Sequence, residues 1–314
     1  MSVQIGWRHP TDDSDQWDGF NEPGIEHFAG SPVRHLAREV IQNACDAGDP
    51  GAGAVVVKIC QRAVATDEIP NIDELKTNLQ SCLSAANHES TKSKIFFENA
   101  LQELARKKIS ILEISDYNTR GMRGPSTNGT PFYAFMKAKG QSRKETNEAS
   151  GSYGIGKFAP YAVSKVRTIF ISTVYQNDDG EFTQLTQGKS ILMSHDQNGD
   201  RKQGVGFWGI TEKCQPIDGL SPSLPEWIQR ENLSFSPDSK GSKLTILCFD
   251  AVNNWEEHLA TSVAENFFGA ILDGSLRVEI QDKHSLDQNS IIDFFQNSST
   301  RTLIEEEKLK GEPE

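Results

Sequence analysis

The sequence has no CxxC pair, and its five cysteines, Cys45, Cys60, Cys82, Cys214 and Cys248, are odd in number. A disulfide framework and a cysteine-built zinc site are therefore not expected, and the thiols read as free and buried. No apolar run approaches the ~18–20 residues that a membrane helix needs, so no membrane association is expected. The N-terminal stretch MSVQIGWRHPTDDSDQWDGF carries acids and aromatics instead of an apolar core. Neither a secretory signal nor a transit peptide is expected there, and a cytoplasmic protein is. Basic residues are in deficit, 32 Lys and Arg against 44 Asp and Glu, for a net charge of −12. Nonspecific nucleic-acid affinity comes from Lys and Arg on phosphates, so nucleic acid is not a favoured partner. The densest basic cluster, Lys137, Lys139, Arg143 and Lys144, reads as a solvated loop. Internal repeats and low-complexity tracts are absent.

What is present suits a soluble globular chain. Its 314 residues suffice for one large domain or two modest ones, and mean hydropathy is −0.52. Residues 1–30 are polar with scattered aromatics (Trp7, Trp17, Phe20, Phe28) and read as an N-terminal arm instead of a core element. Ser31-Pro32 gives a helix start, with Ser as N-cap and Pro at the first helical position. That helix is expected to run to about Ala47, because Val33, Leu36, Val40, Ile41 and Ala44 follow helical spacing. AVVVKIC at 54–60 is rich in β-branched residues and reads as a strand. Helices are expected near 71–86 and 91–107, and a strand at 108–116. Residues 117–155 form a long Gly-, Ser-, Thr- and Asn-rich connection of the kind that serves as a lid. Strands follow at 166–175, 181–193, 204–212 and 242–249, then a helix at 253–270 and a short strand at 276–280. The later strands are too closely spaced for repeated helical crossovers. The expectation is an α+β fold, a two-layer sandwich of helices on a mixed, mostly antiparallel sheet.

Three elements carry candidate chemistry. Glu39, Asn43 and Asp46 are spaced four and three apart, which puts them on one helix face. A carboxylate there can orient and deprotonate a water. A carboxamide oxygen one turn away can ligate Mg2+, which prefers hard oxygen donors. Taken alone, that face reads sooner as a solvated one. Asp116 ends an apolar strand and is followed by Tyr117-Asn118-Thr119-Arg120-Gly121-Met122. A carboxylate at a strand end can accept a hydrogen bond from an adenine amino group, although the same string is ordinary turn chemistry. Gly151-Ser152-Tyr153-Gly154-Ile155-Gly156-Lys157 places glycines before a helix, leaving backbone N–H groups for a phosphate, with Lys157 as an added charge. This string also satisfies GxxxxGK, but Phe158 stands where the phosphate-loop pattern needs Ser or Thr, and the preceding SRKETNEAS is polar where a buried strand is required.

Together and in this order the elements resemble the GHKL ATPases: gyrase B subunits, heat-shock chaperones of the ninety-kilodalton class, MutL repair proteins, MORC proteins and histidine kinases. REVIQNACDA resembles the E-x-x-x-N-x-x-D box. The resemblance implies Glu39 as general base, Asn43 as the Mg2+ ligand, and Asp46 in support of the nucleotide. ISDYNTRGM resembles the D-x-G-x-G box, with Asn118 in the first glycine's place and one extra residue before Gly121. Asp116 would then read the adenine amino group, with Gly121 and Met122 flanking the base. GSYGIGK resembles the G-x-x-G-x-G lid box through Gly151, Gly154 and Gly156. Gly241-Ser242-Lys243-Leu244-Thr245-Ile246 resembles the Gly-Thr strand start, Ser242 supplying the hydroxyl. The likeness covers about residues 31–250 and implies the Bergerat ATP-binding fold, with ATP and Mg2+ as cofactors and residues 117–155 as ATP lid.

Glu39 favours water as phosphoryl acceptor, since protein histidine kinases usually lack a base at that position. The phrasing of NACDA and GSYGIGKFAP resembles MORC-like and chaperone-like proteins of bacterial conflict and antiviral defence systems. The expected activity is ATP hydrolysis that drives lid closure, ordering of the arm and homodimerisation. A GHKL protein kinase and a non-hydrolysing nucleotide-binding regulator stay open as alternatives. Residues 251–314 read as a helix, a short strand and a charged tail, too small for a full transducer region. A missing C-terminal effector region or a protein partner is therefore expected.

Overall fold

The computed structural model describes residues 3–138, 154–219, 224–231 and 237–297, together with positions 300, 302 and 304. In chain order its elements are β1 (Ile5–Arg8), α1 (Pro23–Glu26), α2 (Pro32–Asp46), β2 (Val55–Ala65), α3 (Ile72–Ala86), α4 (Thr91–Leu104) and β3 (Lys108–Tyr117). Next come α5 (Pro131–Met136), α6 (Ala159–Ala162), β4 (Thr168–Gln176), β5 (Phe182–Ile191), β6 (His195–Gln197), β7 (Asp200–Lys202), β8 (Val205–Ile210) and β9 (Ile217–Asp218). The chain continues through β10 (Gly241–Leu247), α7 (Trp255–Leu272), β11 (Leu276–Ile280), β12 (His284–Leu286) and α8 (Ile291–Gln296). The main sheet has the order β1-β8-β5-β4-β10-β3-β2-β11-β12, with β9 added to β5, while β6 and β7 form a separate hairpin. Among these pairings β2–β11 is parallel and the rest are antiparallel. The architecture is α+β, a large, mostly antiparallel sheet flanked by helices, as the strand spacing predicts.

Successive side chains on a strand point to opposite faces, and the sheet is buried on both. On one face α2 and α7 pack Leu36, Ile41, Leu259 and Val263 against Val57, Leu112, Ile114, Ile169 and Ile246. On the other face α3 and α4 pack Leu75, Leu79 and Phe97 against Val64, Ile109, Ile111, Phe170 and Leu247. Ile111 and Leu112 enter opposite clusters, so β3 carries apolar residues on both of its faces between polar ones. Helix α2 starts at Pro32 as expected, and Ser31 occupies the N-cap position without a side-chain capping bond. Strand β2 extends five residues past the expected end at 60 because it pairs with β3 along its length, from Val56↔Tyr117 to Ala65↔Lys108.

The expected N-terminal arm is corrected by the structure. Residues 5–8 form the edge strand β1 on β8, in the register Trp7↔Trp208, and Trp7, Phe20 and Phe28 are buried. The segment is polar because most of its residues lie on the surface, Trp17 among them, whereas Trp7 and Phe20 enter the second cluster. Arg167 fastens it: its guanidinium donates to the Phe20 carbonyl at 2.7 Å and stacks 4.0 Å from the Phe20 ring. No helix among the described residues is long and apolar enough to cross a membrane.

Candidate functional site

Strand β3 delivers Asp116 beside the start of β10, because Lys243 pairs with Ser115 and Ser242 with Thr173 of β4. Three sequence-distant polar residues are thereby joined. The Ser242 N–H donates to Asp116 Oδ1 at 3.1 Å, and the Thr119 hydroxyl donates to the same oxygen. The Ser242 hydroxyl donates to Thr173 Oγ1 at 3.2 Å. The Met122 N–H is shared between Thr173 Oγ1 at 2.7 Å and Ser242 Oγ at 3.0 Å. Burial pushes the Asp116 carboxyl above its ordinary range, and the Thr119 hydroxyl, the nearby Arg230 charge and the Ser242 amide oppose that shift. Both bonds land on Oδ1, and among the described residues none reaches Oδ2.

The turn after β3 uses left-handed backbone at Asn118, φ 59°, and at Gly121, φ 69°. Asn tolerates this region better than other side chains, so Asn118 does in this turn what a glycine would. Its amide donates to the Ala54 carbonyl at 2.7 Å. The same turn is tied to the end of α2: Arg120 N–H donates to the Ala47 carbonyl at 2.8 Å and Asp49 N–H to the Asn118 carbonyl at 2.9 Å. The Arg120 guanidinium reaches the Asp46 carbonyl at 3.1 Å. The Asp46 carboxylate accepts from Gln42 at 2.9 Å.

Glu39 and Asn43 lie along the same helix, Glu39 half-buried and Asn43 exposed. Glu39 meets the glycine-rich turn, since a Cβ placed on Gly156 would overlap its Oε2 and lie 2.7 Å from Cδ. Gly154 has φ 70° and Gly156–Phe158 make a single 3-10 turn after Ile155. Gly151, Ser152 and Tyr153 lie outside the described residues, as does the whole of 139–153 within the lid expected over 117–155. Lys157 is not free to act as a bare point charge in this conformation. Its ammonium donates to the Ala134 carbonyl at 3.3 Å and to that of Ala138, at the C-terminal end of α5, and burial lowers its pKa. Lys189 joins it there, donating to Met136 O at 2.7 Å.

The residues fit a Mg2+ held by few protein ligands. Among the described residues no cluster of three or more His, Cys, Asp or Glu could hold a metal. Asn43 offers one exposed amide oxygen, and Mg2+ commonly takes one or two protein ligands with water and substrate phosphates completing its shell. A separate 660 Å3 cavity is lined by residues including Arg62, Glu68, Asn71 and Trp227, and it includes none of the residues singled out above. Sequence reasoning missed Thr119, Thr173 and Arg230. Thr173 carries a usable signal only once the β4–β10 register is known, and Arg230 carries none.

No family model matches the chain, and no curated protein matches it. Among solved structures, the chain is similar to the ATPase region of Saccharomyces cerevisiae topoisomerase II, at 12% identity and a TM-score of 0.39. That match covers 93% of this chain, and the chain spans 59% of the matched one.

Proposed function

We propose that the chain is a GHKL-type domain that binds ATP with Mg2+ and hydrolyses it. The observation that carries this is the contact of Glu39 with Gly156, on a helix whose end is bonded to the turn after Asp116 through the Asp46 carbonyl and the Arg120 guanidinium. A carboxylate for the water, a glycine turn for the phosphates and a second carboxylate for the base would thereby all be tied to one helix. In this reading the Asp116 carboxylate accepts from the adenine amino group, and Gly121 and Met122 flank the ring. Asn43 ligates Mg2+, and Asp46 supports the nucleotide. The turn Gly151–Lys157 receives the phosphates, with Lys157 exchanging its α5 carbonyls for them. Glu39 orients the attacking water and takes its proton. Mg2+ supplies charge neutralisation on the phosphates when bound.

Lid closure over 117–155, ATP-dependent homodimerisation and a protein partner or C-terminal effector region complete the proposal, in a conformational switch of a bacterial defence or chaperone-like system. Glu39→Ala should abolish phosphate release while ATP binding persists. Undiminished release by that variant would remove Glu39 from the chemistry, and transfer of labelled phosphate to a protein would favour a kinase. A chain that stays monomeric with a nonhydrolysable analogue would sink the dimer.

A further inference from the structure

Arg230 is an unusual residue to find inside this fold. It is 1% exposed, one of the largest fully buried side chains. Its backbone N–H donates to Ser172 Oγ at 2.9 Å and its Nη2 to the Lys240 carbonyl at 3.2 Å. The guanidinium carbon stacks 4.1 Å from the Tyr117 ring centroid. Nε and Nη1 are buried and have no hydrogen-bond partner among the described residues. A buried cation with two unsatisfied donors is costly, and a well-packed apolar side chain of similar volume usually serves stability as well or better. Packing alone therefore does not account for it.

The guanidinium comes close to Asp116. Gly241, at φ 137°, lies where both meet: a Cβ there would sit 2.8 Å from Arg230 Nη2 and 3.1 Å from Asp116 Oδ1. Arg230 is the charged group whose field reaches Asp116, while Thr119 and the Ser242 amide contribute hydrogen bonds. The neighbouring Lys240 is ion-paired with Asp49.

We propose that Arg230 is a positioning residue for base recognition, which, stacked on Tyr117 and tied to the Lys240 carbonyl, holds Asp116 as an acceptor for the exocyclic amino group of the nucleotide base. The inference rests on the nucleotide-binding function proposed above. Asp116 is caught between burial, which favours its neutral form, and the Arg230 charge, which favours the ionised one. An ionised carboxylate accepts from an adenine amino group and repels the carbonyl that replaces it in inosine. A protonated carboxyl donates to that carbonyl instead. Arg230 thereby sets both the pH at which the base is bound and the preference for adenine over hypoxanthine.

The test is calorimetric titration of ATP and inosine triphosphate, each with Mg2+, from mildly acidic to mildly alkaline pH. Wild type, Arg230→Met, Arg230→Gln and Arg230→Lys are compared. The full chain is expected to prefer ATP. Arg230→Met should lose about tenfold or more in ATP affinity at neutral pH, shift the binding midpoint to higher pH and collapse the preference. Arg230→Gln keeps a donor for the Lys240 carbonyl and serves if the Met variant does not fold. Arg230→Lys, which keeps the charge, should restore part of the pH profile. Neutral variants with the wild-type midpoint and preference would overturn the role of Arg230 while leaving nucleotide binding intact. A wild-type chain that binds neither nucleotide would overturn the functional proposal and this one with it.

Discussion

The carboxylate of Glu39 lies against the backbone of Gly156, so closely that a methyl group on that residue would overlap Oε2. The helix that carries the proposed base and the turn proposed to carry the phosphates therefore share one contact, made possible by a missing side chain.

Gly156→Ala should disturb that contact specifically. Overpacking of this kind typically costs about 1–3 kcal/mol, and ATP hydrolysis should fall along with stability. In a Glu39→Ala background the same substitution should be close to neutral, because the obstructing atoms are gone. Urea denaturation of the double-mutant cycle measures the coupling; equal costs in both backgrounds would refute the contact.

Thr173 and Ser242 both accept the Met122 N–H. Thr173→Val or Ser242→Ala alone leaves the amide one acceptor and should cost about 1 kcal/mol. The double variant leaves it none, so the loss should exceed the sum of the two. Additive losses in chemical denaturation would show that Met122 N–H finds another partner.

His9 is held neutral in the interior, its pKa lowered to about 3 by burial and by His195, against a raising contribution from the Gln203 carbonyl. Its ring also meets Ser190 at 3.3 Å and lies 5.0 Å from the His195 ring. The unfolded chain takes up the proton near the ordinary value of 6.5, so the unfolded state binds more protons between that pH and about 3. Stability is complete above 6.5 and declines as pH falls through this window. His195, also lowered by burial, adds to the same trend. Thermal melts of His9→Gln should show a flatter decline over this window than wild type, and an unchanged slope would exclude His9 as its source.

Arg167 joins the N-terminal segment to the rest of the fold through the Phe20 carbonyl, the Phe20 and Phe96 rings and Glu26 at 3.6 Å. Arg167→Ala removes packing and charge together and should cost about 2–4 kcal/mol, since it leaves the Phe20 carbonyl without its donor and the Phe20 and Phe96 rings without their cover. Limited proteolysis should then cut before residue 30 faster than in wild type. Unchanged cleavage would place the fastening elsewhere, at β1.

Much of this was legible from period and spacing. The polar interruptions of α2 and the β-branched run of β2 specify their elements locally, and so does the alternation of β3, so these were found within a few residues. The Asp116 and Ser242 positions were also marked by local strings. What escaped was non-local. Trp7 reads as one aromatic in a polar stretch, and only its pairing with Trp208 makes it core. Thr173 is an ordinary strand residue until β10 comes alongside. Arg230 acquires significance only from the company of Tyr117 and Asp116, which no pattern within its own segment announces. Asn118 shows the reverse: a departure from a glycine pattern that left-handed backbone absorbs.

The parallel pairing of β11 with β2 has an outcome for synthesis. Val55–Ile59 pairs on that side with Leu276–Ile280, so a nascent chain carries β2 with one row of unsatisfied amides and carbonyls until Ile280 has left the ribosome. An exposed row of this kind invites pairing with other chains. Ending the chain anywhere before Leu276 would make that temporary hazard permanent, and insoluble product is the expected sign of it.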